Sequence, residues 1–392
     1  MRKEFLVFGS PCIEDSEILE VVKVLKSGWL GTGPRVARFE KDFLNYKQSN
    51  FAIAVNSCTA ALHLSLIASG VGAGDEVITT ALTFCATINA ILHAGAKPVL
   101  ADIDPVTMNI DPVRVEEKIT ENTKALLLVH FAGRPCDMEN LCRIAKKHNL
   151  KIIEDCAHAI ESEYRGKKVG SLGDFGCFSF YVTKNIVTGE GGMVLTKNEE
   201  DAARIKMLAL HGMTKDAWKR FSDRGYKHYY VTECGFKYNM MDIQAAIGIH
   251  QLQRVEQYWQ RRRHHWQRYS EAFADMPIVI PAAAPEDTRH AYHLYTILVD
   301  KDIVGISRDE FLEEMTARNI GVGVHYLSIP EHPYYQQVCG YDLKDYPHAA
   351  QVGRQTLSLP LSAKLNDDDL DDVISAVKDI VVSRSVVQRR GV

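Results

Sequence analysis

Between about residues 50 and 200 short apolar runs alternate with amphipathic segments, and this alternation constrains the fold more than any other feature of the chain. FAIAV (51–55) precedes the helical pattern CTAALHLSLIASG, DEVITT (75–80) precedes ATINAILHAG, KPVLAD (97–102) precedes DPVRVEEKI, and ALLLVHF (125–131) precedes DMENLCRIAKKH. KIIED (151–155), CFSF (177–180) and MVLT (193–196) continue the series. Strand, crossover helix, strand is the mark of βαβ units, so the first half is expected to be α/β with a mainly parallel sheet. After about residue 240 the pattern changes. Long helices through MMDIQAAIGIHQLQRVEQYWQRRRHHWQRYSEAF stop near Pro277, and PAAAPED (281–287) leads to the alternating run HLYTILV (293–299). The helix RDEFLEEMTARN, the run GVGVHY (321–326) and a last helix from about Asn366 follow. That order predicts a small α+β domain packed on the first. The expected division is 1–250 for an N-terminal segment with the large domain and 251–392 for linking helices with the small one, and the tail after Arg384 is expected to fray.

A chain of 392 residues, 46% of them hydrophobic, can bury a large core. Its formal charge of −4 is small, and the dense basic cluster Arg261-Arg262-Arg263 with His264 and His265 reads as a solvated helix face, so nucleic acid is not an expected partner. Nine cysteines are scattered with no CxxC pair, which suits free thiols in a reducing cytosol and predicts neither a disulfide frame nor a metal site. The apolar run in MRKEFLVFGSPCIED is too short for a signal h-region, and no later stretch has the length of a membrane span. A cytoplasmic protein without a membrane partner is expected.

FSFYVTKNIVTGEGGMVLT (178–196) sets one lysine, Lys184, between two apolar runs and follows it with the turn Gly189-Glu190-Gly191-Gly192. A buried ammonium is costly unless paired or neutralised. Lys184 can snorkel, pair with a carboxylate or lie in an exposed loop; alternatively burial depresses its pKa, so that the neutral amine can attack a carbonyl and form a Schiff base. The glycines leave positive φ available for a tight reversal. IIEDCAHA puts Asp155 at the C-terminal end of an apolar strand, where open α/β sheets bind ligands. Its carboxylate is either a turn cap or the partner of a pyridinium nitrogen, which makes pyridoxal phosphate (PLP) an electron sink. Ser57-Cys58-Thr59-Ala60 opens a helix, where hydroxyls and amides serve either as an ordinary cap or as an anion site. Ser179 could add a hydroxyl to the same phosphate, and Phe84 is either a core residue or a ring that stacks on a pyridine. No Walker A sequence or GxGxxG stands in a βα turn, so the usual nucleotide phosphate loops are missing.

Five stretches in order, VNSCTAALHLSL, TFCATINAI, IIEDCAHA, FSFYVTKNIVTGEGGM and GFKYNMMDIQAAIGIHQL, resemble the DegT/DnrJ/StrS-type PLP-dependent nucleotide-sugar aminotransferases. The resemblance runs from about Gly28 to SLPLSAKLNDDDLDDVI, nearly the whole chain. It implies the aspartate aminotransferase (type I) fold, with a mainly parallel seven-stranded sheet in the large domain and a smaller C-terminal α+β domain. It further implies that Lys184 carries the PLP and shuttles the proton, that Asp155 pairs with the ring nitrogen, and that His158 lies near the 3-hydroxyl face. Phe84 would stack on the ring, and Thr59, the Ala60 amide and Ser179 would hold the phosphate. Asn239 matches an asparagine that reaches the phosphate of the neighbouring subunit, which implies a homodimer with shared active sites. The long segment from His211 to Glu233, with Trp218, Phe221, Tyr226, Tyr229 and Tyr230, would cover that neighbour's pocket. His325 matches a histidine that faces the sugar. The implied partners are L-glutamate as donor and a nucleotide-linked keto sugar as acceptor. EDCAHA, NIVTGEGGM and the spacer to GFKYN are most similar to enzymes that aminate C4 of UDP-linked 4-keto sugars. C3 amination, dTDP- or GDP-linked sugars, an aminocyclitol and a non-catalytic PLP-binding sensor stay open.

Overall fold

A computed structural model describes residues 2–214 and 228–384. Helices α1 (Asp15–Ser27) and α2 (Pro34–Lys47) precede the first strand, β1 (Phe51–Val55). Then α3 (Cys58–Ala68), β2 (Glu76–Thr80), α4 (Cys85–His93), β3 (Lys97–Ala101), α5 (Pro112–Glu117), β4 (Thr123–Val129), α6 (Met138–His148) and β5 (Lys151–Asp155) alternate. A short hairpin, β6 (Glu163–Tyr164) with β7 (Lys167–Lys168), precedes β8 (Phe175–Ser179), β9 (Gly192–Thr196) and α7 (Glu199–Leu208). Seven strands form one sheet in the order β1-β9-β8-β5-β4-β2-β3. β9 is antiparallel to both of its neighbours and the other pairs are parallel, so the sheet is mainly parallel, as expected. Every residue of β2 and β9 is buried, because helices cover both faces of the sheet, and this is why these strands read as unbroken apolar runs.

The second half supplies α8 (Asp242–Gln253), α9 (Val255–Phe273), β10 (Thr288–Arg289), β11 (Tyr295–Leu298), α10 (Lys301–Val304) and α11 (Arg308–Ala317). It closes with α12 (Pro333–Cys339), α13 (Pro347–Gln355), β12 (Thr356–Leu359) and α14 (Asp367–Arg384). β11 and β12 pair antiparallel and share a core with Phe311, Leu370 and Val377, which Leu6 of the N-terminal segment joins. GVGVHY is not a strand. Two glycines without side chains to pack weaken the run, and it makes one bridge, Gly323 to Ser358, while β12 takes the place beside β11. The basic cluster is also corrected. Helical spacing along α9 puts Arg262 and His265 on the buried stripe of Trp266, Tyr269 and Phe273, and Arg262 is 2% exposed and paired with Glu161. Arg261, Arg263 and His264 do face solvent. All nine cysteines are free thiols. Among the described residues no helix is long and apolar enough to cross a membrane.

Candidate active site

β1, β2, β4, β5 and β8 run in one direction, so the residues that follow them gather at one edge of the sheet. α3 opens there, capped by Ser57. The Ala60 amide, expected to face a phosphate, donates to Ser57 Oγ at 3.1 Å, so an anion meeting that amide must displace the cap. The half-buried Thr59 hydroxyl has no hydrogen-bond partner among the described residues. Gly192 at the start of β9 allows the close approach: a Cβ there would stand 2.5 Å from the carbonyl of Ser57. Ser179 ends β8 and its hydroxyl accepts from the Tyr181 amide at 3.4 Å. Asn239 bridges Val55 at the end of β1, and its side chain donates to Thr32 Oγ1 and accepts from Lys237 Nζ, both at 2.7 Å. Of the segment 211–233, residues 215–227, with Trp218, Phe221 and Tyr226, lie outside the described residues.

Lys184 lies in the loop between β8 and β9, its amide donating to Tyr181 O at 2.9 Å, and the turn that follows uses positive φ at Gly189. The side chain is half-buried, and its amine has no hydrogen bond or ion pair among the described residues. Burial pushes its pKa down to about 8, with the charges of Cys58 and Asp155 pulling weakly the other way. Asp155, the buried last residue of β5, accepts from Thr87 Oγ1 at 3.0 Å and from the Ala157 amide at 3.1 Å. The Cys58 thiol stands 3.9 Å away. Burial raises the Asp155 carboxyl, while these donors and Lys184 oppose the rise. A buried carboxylate met only by neutral donors is incompletely compensated, and a cationic nitrogen would complete it.

His158 is buried; its Nδ1 accepts from the Ala132 amide at 3.2 Å, and its Nε2 lies 3.0 Å from the Tyr326 hydroxyl. Burial first, then Lys184, His293 and His325, hold its pKa well below the ordinary imidazole value, so it is neutral. His325 is bonded to Ser358 Oγ at 2.9 Å and stacked on Phe8, and burial lowers its pKa to about 3. Phe84 packs against Tyr326 with ring centroids 5.9 Å apart and is nevertheless 57% exposed. Behind Lys184 a polar chain fixes the loop: Asn185 donates to Glu161 at 2.8 Å and meets His293 Nδ1 at 2.9 Å, and Glu161 holds Arg262. Tyr326, Asn185 and His293 are additions that sequence reasoning does not single out. Two of them sit beside residues it does, Lys184 and His325. His130, Glu154 and Cys156 bring three ligand-type atoms within 4.8 Å of one another. Both Glu154 oxygens are already taken, by His130 and by the amides of Gly170, Leu172 and Gly173, which makes the group a brace for that loop.

An exposed phenyl face, an unpaired amine of depressed pKa, an under-compensated carboxylate and a helix N-terminus with a displaceable cap and a spare hydroxyl fit a phosphorylated, cationic aromatic aldehyde, which is PLP. The matching family description is the DegT/DnrJ/EryC1/StrS aminotransferase family over residues 11–378, and the chain belongs to it. It is 49% identical over 381 residues to the spore coat polysaccharide biosynthesis protein SpsC of Bacillus subtilis, covering 97% of this chain and 98% of SpsC. Spr1654 of Streptococcus pneumoniae, described as a sugar aminotransferase and solved in its PMP form, superposes with a TM-score of 0.91 at 35% identity, over 96% of this chain and 99% of that one. PseC of Helicobacter pylori, an aminotransferase involved in the biosynthesis of pseudoaminic acid, gives 0.89 at 31% identity, over 97% and 100%. The protein is thus a PLP-dependent aminotransferase of the type I fold, and its cofactor is pyridoxal phosphate.

Proposed function

We propose that this enzyme moves the amino group of L-glutamate onto C4 of a UDP-linked 4-keto sugar, for polysaccharide or amino-sugar biosynthesis in the cytoplasm. The observation that carries the chemistry is the unpaired amine of Lys184 with its pKa near 8, in one loop with the gathered strand ends. The sugar is supported by full-length likeness to SpsC and PseC, whose descriptions name polysaccharide and pseudoaminic acid biosynthesis. PLP, when bound, supplies an electron sink for the pair left at the donor carbon. Lys184 Nζ, whose pKa of about 8 leaves a reactive neutral fraction near physiological pH, takes the proton from the donor Cα and returns one when the acceptor is aminated. Asp155 keeps the ring nitrogen protonated, and its own charge is held by Thr87 and Ala157. Thr59, Ser179 and the N-terminus of α3 hold the phosphate. Phe84 covers the ring and His325 faces the sugar.

A homodimer with shared sites belongs to this reading. On α1 the burial is inverted: Glu17 and Glu20 face inward to Arg254 and Arg35, while Ile18, Leu19, Val22 and Leu25 face outward. Trp29, Leu30 and Met241 extend this exposed apolar surface. A second copy of the chain is the occupant we assign to it. Asn239 then serves the partner's phosphate, exchanging its bonds to Thr32 and Lys237. The test offers UDP-, dTDP- and GDP-linked keto sugars with L-glutamate and reads product mass. A UDP-linked 4-amino sugar is expected; conversion of only dTDP- or GDP-sugars, or of a 3-keto sugar alone, overturns the assignment.

A further inference from the structure

Tyr326 reaches the active site from the segment between α11 and α12, and its hydrogen bonds can be assigned atom by atom. The Ala132 amide donates to His158 Nδ1 at 3.2 Å, so that nitrogen bears a lone pair and no proton. His158 is neutral, as burial and the nearby Lys184 require. A neutral imidazole with a bare Nδ1 carries its proton on Nε2. At 3.0 Å from the Tyr326 oxygen, Nε2–H donates and the phenol oxygen accepts. The proton of the phenol itself is therefore left over. Among the described residues it has no acceptor, although the ring is half-buried and packed by Phe84, Phe131 and His325, with centroids 5.9, 6.3 and 5.0 Å away. Burial, with Asp155 nearby, also keeps the phenol protonated. A partly buried donor without an acceptor points to a ligand that brings one.

We propose that Tyr326 is a catalytic residue whose phenolic O–H donates to an oxygen of the acceptor sugar at or beside the reacting carbonyl, and that His158 is the positioning residue that aims it. The inference rests on the keto-sugar reading above. The neutral donor suits a carbonyl or hydroxyl oxygen, and the His158 bond fixes the direction of the remaining proton before the sugar arrives. The ring oxygen of the cofactor is the other possible source of an acceptor, and the experiment separates the two.

The holoenzyme is compared with its Tyr326→Phe variant by cofactor absorbance, by histidine nitrogen NMR and by rapid-mixing half-reactions. His158 is expected as the Nε2–H tautomer at neutral pH, and the absorbance of the resting variant is expected to match wild type. Its rate with the keto sugar should fall about tenfold more than its rate with L-glutamate, the worth of one hydrogen bond. A shifted absorbance band in the resting variant puts the bond on the cofactor and overturns the proposal. An Nδ1–H tautomer does so too, because Nε2 would then consume the phenol's proton. Equal losses in the two half-reactions also overturn it. Wild-type enzyme that aminates no keto sugar defeats the reading of the function, and with it the sugar as acceptor. Wild-type enzyme that aminates one, beside a variant with no excess loss, defeats the Tyr326 proposal alone.

Discussion

Among the described residues two lysines have their pKa pushed to about 8 by burial, Lys47 and Lys184, and their surroundings decide which one can react. Lys47 is fully buried, donates to the Ile160 carbonyl at 2.9 Å and lies over the ring of Phe178, so no carbonyl compound can reach it. Lys184 is half-open, and its amine is unbonded among the described residues. Its depressed pKa has a consequence for stability. The ligand-free folded protein loses this proton near pH 8, whereas the unfolded chain keeps it to about 10.5, so below pH 8 folding carries the full cost of burying the charge. Stability attributable to this site therefore rises with pH from about 8 to about 10.5 and is level beyond it. Lys184→Met removes the charge. The ligand-free variant should be more stable than ligand-free wild type by about 1–2 kcal/mol at neutral pH, discounted for partial exposure, and by almost nothing above about pH 10.5. Urea unfolding at the two pH values checks this, and an equal difference at both would mean that burial does not hold the amine near neutrality.

At the scale of elements, the strands with covered faces were legible and the elements defined by partners were not. β1, β2, β3 and β5 stand within a residue of their apolar runs, because a strand buried on both sides has no polar face to blur the pattern. ALLLVHF starts its strand two residues earlier, at Thr123, and leaves it at Val129, after which Phe131 packs against the rings of His158 and Tyr326. The sequence pattern offers the run GVGVHY but not TLSL at 356–359, which is the partner of β11, and local pattern cannot choose between such distant segments. α1 shows the same limit in reverse. Its apolar stripe predicts a buried face, yet within one chain that face is outside, and the inward glutamates are held by Arg254, Arg35 and Gln251. If a second copy covers the stripe, a charge placed in it should separate the subunits without unfolding them. Leu19 is 59% exposed, so Leu19→Glu costs the isolated fold little. Light scattering should find a monomer with native circular dichroism and little transaminase activity. A variant that stays dimeric and active would place the interface elsewhere.

Across the whole molecule, the site is assembled from places far apart in sequence. Ser57, Phe84, Asp155 and Ser179 arrive because parallel strands end together, a regularity that motif spacing can reveal. Tyr326 and His293 come from the second half of the chain, and their roles depend on bonds to His158 and Asn185 that no sequence pattern announces. Leu6, paired with Ile320, ties the first residues to the second core, so a cut at 250 leaves this segment on the far side from its packing partners. The central claim remains that this arrangement exists to present one amine, on Lys184, to PLP. Borohydride reduction of the holoenzyme followed by peptide mass mapping tests it most directly. One modified peptide is predicted, from the stretch 178–196, with the reduced cofactor on Lys184 and none on the Lys184→Ala variant. A label on another lysine such as Lys47, or an unlabelled protein that still transaminates, would contradict it.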